Sequence, residues 1–96
     1  MEKIYSVYII TNKSNSVLYA DITNNLRRRI YEHKKGIESK FTNKYKVSKC
    51  LYYYNFKNVQ DAIRAEKMIK SGSREEKIKK ISETNPEWKD LYKDLL

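Results

Sequence analysis

Apolar residues are distributed along this chain in two patterns, and the change from one to the other marks out its elements. Between Ile4 and Ile10 β-branched and aromatic side chains crowd both faces of a seven-residue run, and Val17 to Ile22 repeats the pattern after the polar stretch Thr11-Asn12-Lys13-Ser14-Asn15-Ser16. Two such runs about a polar turn predict a β-hairpin, and Lys49 to Phe56 predicts a third strand. Elsewhere the apolar spacing becomes three and four. Thr23, Asn24 or Asn25 can cap a helix that runs to Lys35, with Gly36 as its stop. Asn58 caps a second helix from Val59 to about Lys70, which Ser71-Gly72-Ser73 breaks. Ser73-Arg74-Glu75-Glu76 has capping-box spacing, so a third helix is expected to about Glu83. Asn85-Pro86 pairs a cap with a first-turn proline and opens a last helix carrying Trp88, Leu91, Tyr92 and Leu95 on one side. The polar, basic stretch 37–48 is expected to be a loop. The order is β-β-α-β-α-α-α, an α+β arrangement without repeats or linkers.

Composition narrows the partners. With 96 residues, a single domain over 1–96 is expected. Twenty-one Lys and Arg against 12 Asp and Glu give a formal charge of +9, which suits a polyanion, and nucleic acid is the commonest one. No apolar run reaches membrane-spanning length and the first residues lack a signal-peptide apolar block, so a cytoplasmic protein with no membrane partner is expected. Cys50 is the chain's one cysteine, which excludes an internal disulfide and a Cys/His zinc site and leaves a reduced core thiol.

Candidate chemistry comes from three places. On the first helix Leu26 and Ile30 mark the buried stripe, and Arg29 and His33 lie one turn apart along its edge. A guanidinium there can hold a phosphate by two hydrogen bonds and an imidazole can move a proton; the alternative is a solvated basic helix with one incidental histidine. Glu66 falls on the face formed by Val59, Ala62, Ile63 and Ile69, where a carboxylate is costly unless paired. An ion pair with Arg29 or Lys70 satisfies it, and so does a hard cation such as Mg²⁺, which takes one or two protein carboxylates and keeps several waters. Tyr8 and Tyr19 are expected to share one sheet face of the hairpin, either as packing or as groups that activate water.

Taken in order, Ser6-Val7-Tyr8, Tyr19-Ala20-Asp21, the run from Leu26 to Gly36, Ala62-Ile63-Arg64-Ala65-Glu66-Lys67 and Asn85 to Tyr92 resemble the GIY-YIG endonuclease superfamily, specifically its short single-domain bacterial members. The resemblance covers nearly the whole chain. It implies a small three-stranded antiparallel sheet flanked by helices, and one-metal hydrolysis of a nucleic-acid phosphodiester. It also implies roles: Glu66 binds Mg²⁺ or Mn²⁺, Arg29 stabilises phosphate charge, Tyr8 assisted by His33 is the general base, and Tyr19 positions water or phosphate. Arg27, Arg28, Lys34, Lys35, Lys40 and Lys44 are the expected nucleic-acid contacts, with DNA the expected polymer. Ser6 and Asp21 stand where the two motifs carry glycine, and Ala20 replaces a larger apolar residue. Asp21 brings a negative charge to the strand end, so the competing expectation is a nucleic-acid-binding module with weak or lost catalysis. A basic domain that docks on an acidic protein ranks third.

Overall fold

The hairpin turn is built by one side chain. Asn12 Oδ1 accepts hydrogen bonds from the backbone N–H groups of Ser16 (2.8 Å) and Val17 (3.2 Å), and Asn15 takes the left-handed conformation at φ 59°. The computed structural model describes residues 3–36, 44 and 46–96. Within them β1 is Tyr5–Thr11, β2 Leu18–Thr23, α1 Leu26–Lys34, β3 Lys49–Phe56, α2 Val59–Ser71 and α3 Arg74–Thr84, and a 3₁₀ helix covers Leu91–Leu95. The expected α+β order is observed, and the expected loop residues Phe41 and Tyr45 lie outside the described residues.

All three strands are antiparallel, in the order β2-β1-β3. Because β1 is central it is buried from Ser6 to Thr11, which explains why its sequence shows no polar alternation. Alternate residues serve two cores. Val7, Ile9, Ala20, Leu51 and Tyr52 pack against Ala62 and Ile69 of α2 and Ile81 of α3, while Tyr8, Ile10 and Cys50 pack with Val47 against Leu26 and Ile30 of α1. A register shift between Ile9 and Ile10 against β3 keeps both faces filled. Cys50 is a buried thiol, and burial pushes its pKa up to about 12, so it stays protonated.

Helix boundaries follow their caps. Asn25 Oδ1 accepts from Arg28 N at 3.2 Å to start α1, and Gly36, at φ 71°, closes it with a hydrogen bond to His33 O. Asn58 caps α2, and the reciprocal Ser73–Glu76 box caps α3. The closing segment departs from expectation. Asn85 is not a helix start: it is the C-cap of α3 and is buried, with Nδ2 donating to Leu51 O (3.1 Å) and Lys89 O (2.8 Å) and Oδ1 accepting from Lys89 N (3.0 Å). Those bonds hold the chain in an irregular turn, with Trp88 at φ 54°, so the last helix begins only at Leu91 and winds as 3₁₀. Asp90 caps it, accepting from Tyr92 N and Cys50 N at Oδ1 and pairing with Lys34 Nζ at 2.5 Å through Oδ2. Among the described residues no helix is long and apolar enough to cross a membrane.

Candidate active site

The two hairpin tyrosines reach the α1 side of the sheet because both occupy positions of the same parity. Tyr8 pairs across the ladder with Asp21, and Tyr19 pairs with Ile10, so the two phenols are diagonal neighbours on one face. Over them lies His33, buried at 3% exposure on the inner edge of α1. Its Nε2 stands 3.1 Å from the Tyr8 hydroxyl, and its ring lies 5.9 Å from the Tyr8 ring and 6.1 Å, edge-on, from the Tyr19 ring. Arg29 is one turn earlier on the same edge, with its Nε 3.8 Å from Glu32 Oε1.

Burial, and after it the Arg29 charge, lowers the His33 pKa from 6.5 to about 4, against smaller raising effects of Asp21 and Glu32. The imidazole is therefore neutral near pH 7. Among the described residues its buried Nδ1 has no hydrogen-bond partner, so there the ring nitrogen facing Tyr8 carries its polar contact. With the ring proton on Nδ1, Nε2 accepts from the Tyr8 O–H and can take that proton; with the proton on Nε2, Tyr8 accepts instead.

A second string of contacts begins at Tyr19. Its hydroxyl donates to Asp21 Oδ2 at 3.0 Å, and the other Asp21 oxygen accepts from Ile22 N at 2.9 Å. Lys70 of α2 reaches this carboxylate, with Nζ 3.7 Å from Asp21 Oδ1 and 3.5 Å from Glu66 Oε2. Glu66 does not sit at the centre of a sealed apolar face. Ala62 and Ile69 take the buried positions of α2, and Glu66 lies at the margin, 16% exposed, where Lys70 one turn on can reach it. The expected alternative of a Lys70 partner is thus observed.

Tyr8, Tyr19, Arg29 and His33 converge as the sequence suggests, and Glu66 joins them through Lys70 and Asp21. The bridging position of Asp21 was not read from the sequence, although its spacing of two from Tyr19 puts both side chains on one strand face. Arg27 and Arg28 are exposed on the outer surface of α1. Lys34 pairs with Asp90, Lys35 stands 5.7 Å over the Tyr31 ring, Lys44 is exposed, and Lys40 lies outside the described residues.

The donor set suits one kind of cation. Among the described residues no group of three or more His, Cys, Asp or Glu side chains could hold a metal, which is unlike a zinc cage. The Glu66 carboxylate, which with Asp21 already draws an ammonium to within 3.7 Å, does fit a hard, largely hydrated cation.

Fold and cluster together define a class, the small α+β domain whose hairpin and following helix carry its polar centre. The chain belongs to the GIY-YIG family: the model of the GIY-YIG catalytic domain matches residues 4–84. It is 39% identical over 83 residues to a UPF0213 protein of Staphylococcus haemolyticus, covering 86% of this chain and 99% of that one. A UPF0213 protein of Clostridium perfringens is 34% identical over 89 residues, 93% and 95% of the two chains. Among solved structures, the solution NMR structure of a UPF0213 protein from Bacillus halodurans superposes with a TM-score of 0.59 at 26% identity, over 91% of this chain and 92% of that one.

Proposed function

We propose that this protein is a metal-dependent nuclease that hydrolyses phosphodiester bonds in nucleic acid, with DNA as its polymer. The observation that carries the reading is the buried Tyr8–His33 hydrogen bond beside Arg29, a proton-transfer pair next to a cation that matches a phosphate. Family membership supports it independently.

In this reading Arg29 binds the scissile phosphate and releases part of its hold on Glu32. A phosphate there cancels the Arg29 charge that helps keep the His33 pKa low, so His33 becomes a better proton acceptor when substrate is bound. Tyr8 then takes a proton from the attacking water as its own passes to His33 Nε2. Tyr19, held by Asp21, orients the water or a phosphate oxygen. Glu66 would hold Mg²⁺ or Mn²⁺, which supplies Lewis-acid charge for the oxyanion and the leaving oxygen.

Glu66→Gln is the test. It should abolish Mg²⁺-dependent cleavage of a labelled oligonucleotide while leaving the unfolding midpoint unchanged or slightly raised; retained cleavage would reduce Glu66 to a partner of Lys70.

One observation favours a second reading, a nucleic-acid-binding module with weak catalysis. Lys70 already bridges Glu66 and Asp21, and a metal has to displace it. Salt-sensitive binding of oligonucleotides without cleavage in Mg²⁺ or Mn²⁺ would establish that reading.

A further inference from the structure

Across α1 from His33 lies a cleft of about 470 Å³, lined by Asn25, Arg27, Arg28 and Tyr31 on the helix and by Tyr92 and Leu96 on the C-terminal segment. Its size is within the roughly 300–1,000 Å³ of small-ligand sites. Among the described residues its lining side chains include two guanidinium groups and two phenol rings and no Asp or Glu.

The walls are built rather than incidental. Asp90 fixes the C-terminal wall by accepting from Tyr92 N at 3.1 Å and Cys50 N at 3.0 Å, and its pair with Lys34 ties that wall to α1. Lys34 Nζ also stands 5.0 Å over the Tyr92 ring, and Lys35 Nζ 5.7 Å over the Tyr31 ring, so each phenol has an ammonium beside it. Tyr31 is 48% exposed and contributes to neither core, so packing gives no reason for an aromatic side chain there. The C-terminal wall lies outside residues 4–84, the span matched by the catalytic-domain model. The cleft therefore includes residues beyond that matched span.

We infer that this cleft is a second site, which takes one nucleotide of the polymer further along the strand than the bond being cut, its base against Tyr31 and Tyr92 and its phosphate on Arg27 and Arg28. Every base has a face that can stack on a phenol, while a guanidinium binds phosphate by paired hydrogen bonds, so the cleft selects a nucleotide unit without selecting its sequence. Arg29 and the Arg27–Tyr31 side lie on opposite flanks of one helix about 10 Å in diameter with its side chains, so a strand crossing the outer face of α1 covers roughly 16 Å between them, which takes more than one nucleotide step. The inference rests on the nuclease reading only in treating the nucleotide as part of the substrate strand.

Binding of deoxyadenosine 5′-monophosphate to the full chain tests the site, with deoxyadenosine and inorganic phosphate as separate probes and backbone amide NMR shifts as the readout. The nucleotide should bind at least tenfold more tightly than either piece and shift Tyr31 and Tyr92. Tyr31→Leu and Arg28→Gln, both at exposed positions, should each weaken it about tenfold without changing the unfolding midpoint. The nucleotide should also raise KM for a labelled oligonucleotide with kcat unchanged, and Tyr31→Leu should remove that competition.

Phosphate binding as tightly as the nucleotide would reduce the cleft to an anion patch and overturn the inference. Nucleotide binding without competition, or competition that survives in Tyr31→Leu, would equally overturn it. If the oligonucleotide is bound but never cut, competition is read from fluorescence anisotropy instead; the nuclease reading then fails while the second site stands or falls on its own result.

Discussion

His33 holds a pKa of about 4 in the folded chain, from burial and the Arg29 charge, against 6.5 for an unperturbed histidine. Because the folded value is the lower, the unfolded chain takes up the proton first. The His33 contribution is complete above about pH 6.5 and is lost as pH falls toward 4, in total on the order of 3 kcal/mol, of which about 2 kcal/mol is gone by pH 5. Urea unfolding at pH 7, 6 and 5 should show this loss, and a His33→Gln variant should lack the slope; a flat wild-type profile would mean that the folded ring takes up its proton as readily as the unfolded one. Asp21 is the other decisive residue. It is a second carboxylate that shares a cation with Glu66, so Asp21→Gly should stop it competing for the metal and raise apparent Mg²⁺ affinity at Glu66 and turnover. Lys70 is 46% exposed, and water screens such pairs to at most about 1 kcal/mol, so the gain should be only two- to five-fold. Metal titration of both proteins decides the matter: a loss of affinity would make Asp21 a ligand, and no change would make Asp21 irrelevant to the cation.

The elements that could be read in the sequence are those whose signals are local. Strand runs, the Asn25 and Asn58 caps, the Ser73–Glu76 box and Gly36 act within a few residues, and each element they delimit is present. Strand parity puts Tyr8 and Tyr19 on one sheet face and helical spacing puts Arg29 and His33 on one helix edge, while the expectation that the two pairs meet came from the family resemblance. Asn85 was misread because its partners are distant: Asn-Pro before an apolar run satisfies the rule for a helix start, yet the Leu51 carbonyl, 34 positions away, captures its amide. Glu66 was placed too deep for the opposite reason, as periodicity gives direction but not the local depth of the core. The Asn85 contacts make a quantitative expectation. Asn85→Ala removes three hydrogen bonds and leaves the Leu51 carbonyl without this donor, so it should destabilise the fold by about 2 kcal/mol. Tyr92 should also become accessible to collisional quenchers. A change within 0.5 kcal/mol would show that the turn is held by other contacts.

At the scale of the whole molecule, the question is where a charge of +9 acts. α1 and its cap carry Arg27, Arg28, Arg29, Lys34 and Lys35 against the single carboxylate Glu32, whereas Arg74, Lys77, Lys79 and Lys80 of α3 are opposed by Glu75, Glu76 and Glu83. The field is therefore concentrated on the helix that also holds His33, and a polyanion drawn to it is brought toward the Tyr8–His33 pair. Net charge and local charge make different predictions. If about four side chains of α1 contact phosphates, log affinity for DNA should fall against log salt with a slope of roughly −3.6. Arg27→Gln with Arg28→Gln should reduce that slope by about 1.8. Lys67→Gln with Lys79→Gln removes the same two charges from exposed positions on α2 and α3 and should leave the slope nearly unchanged. Equal effects of the two pairs would mean that only total charge matters, and would dissociate binding from the α1 face on which both proposed sites depend.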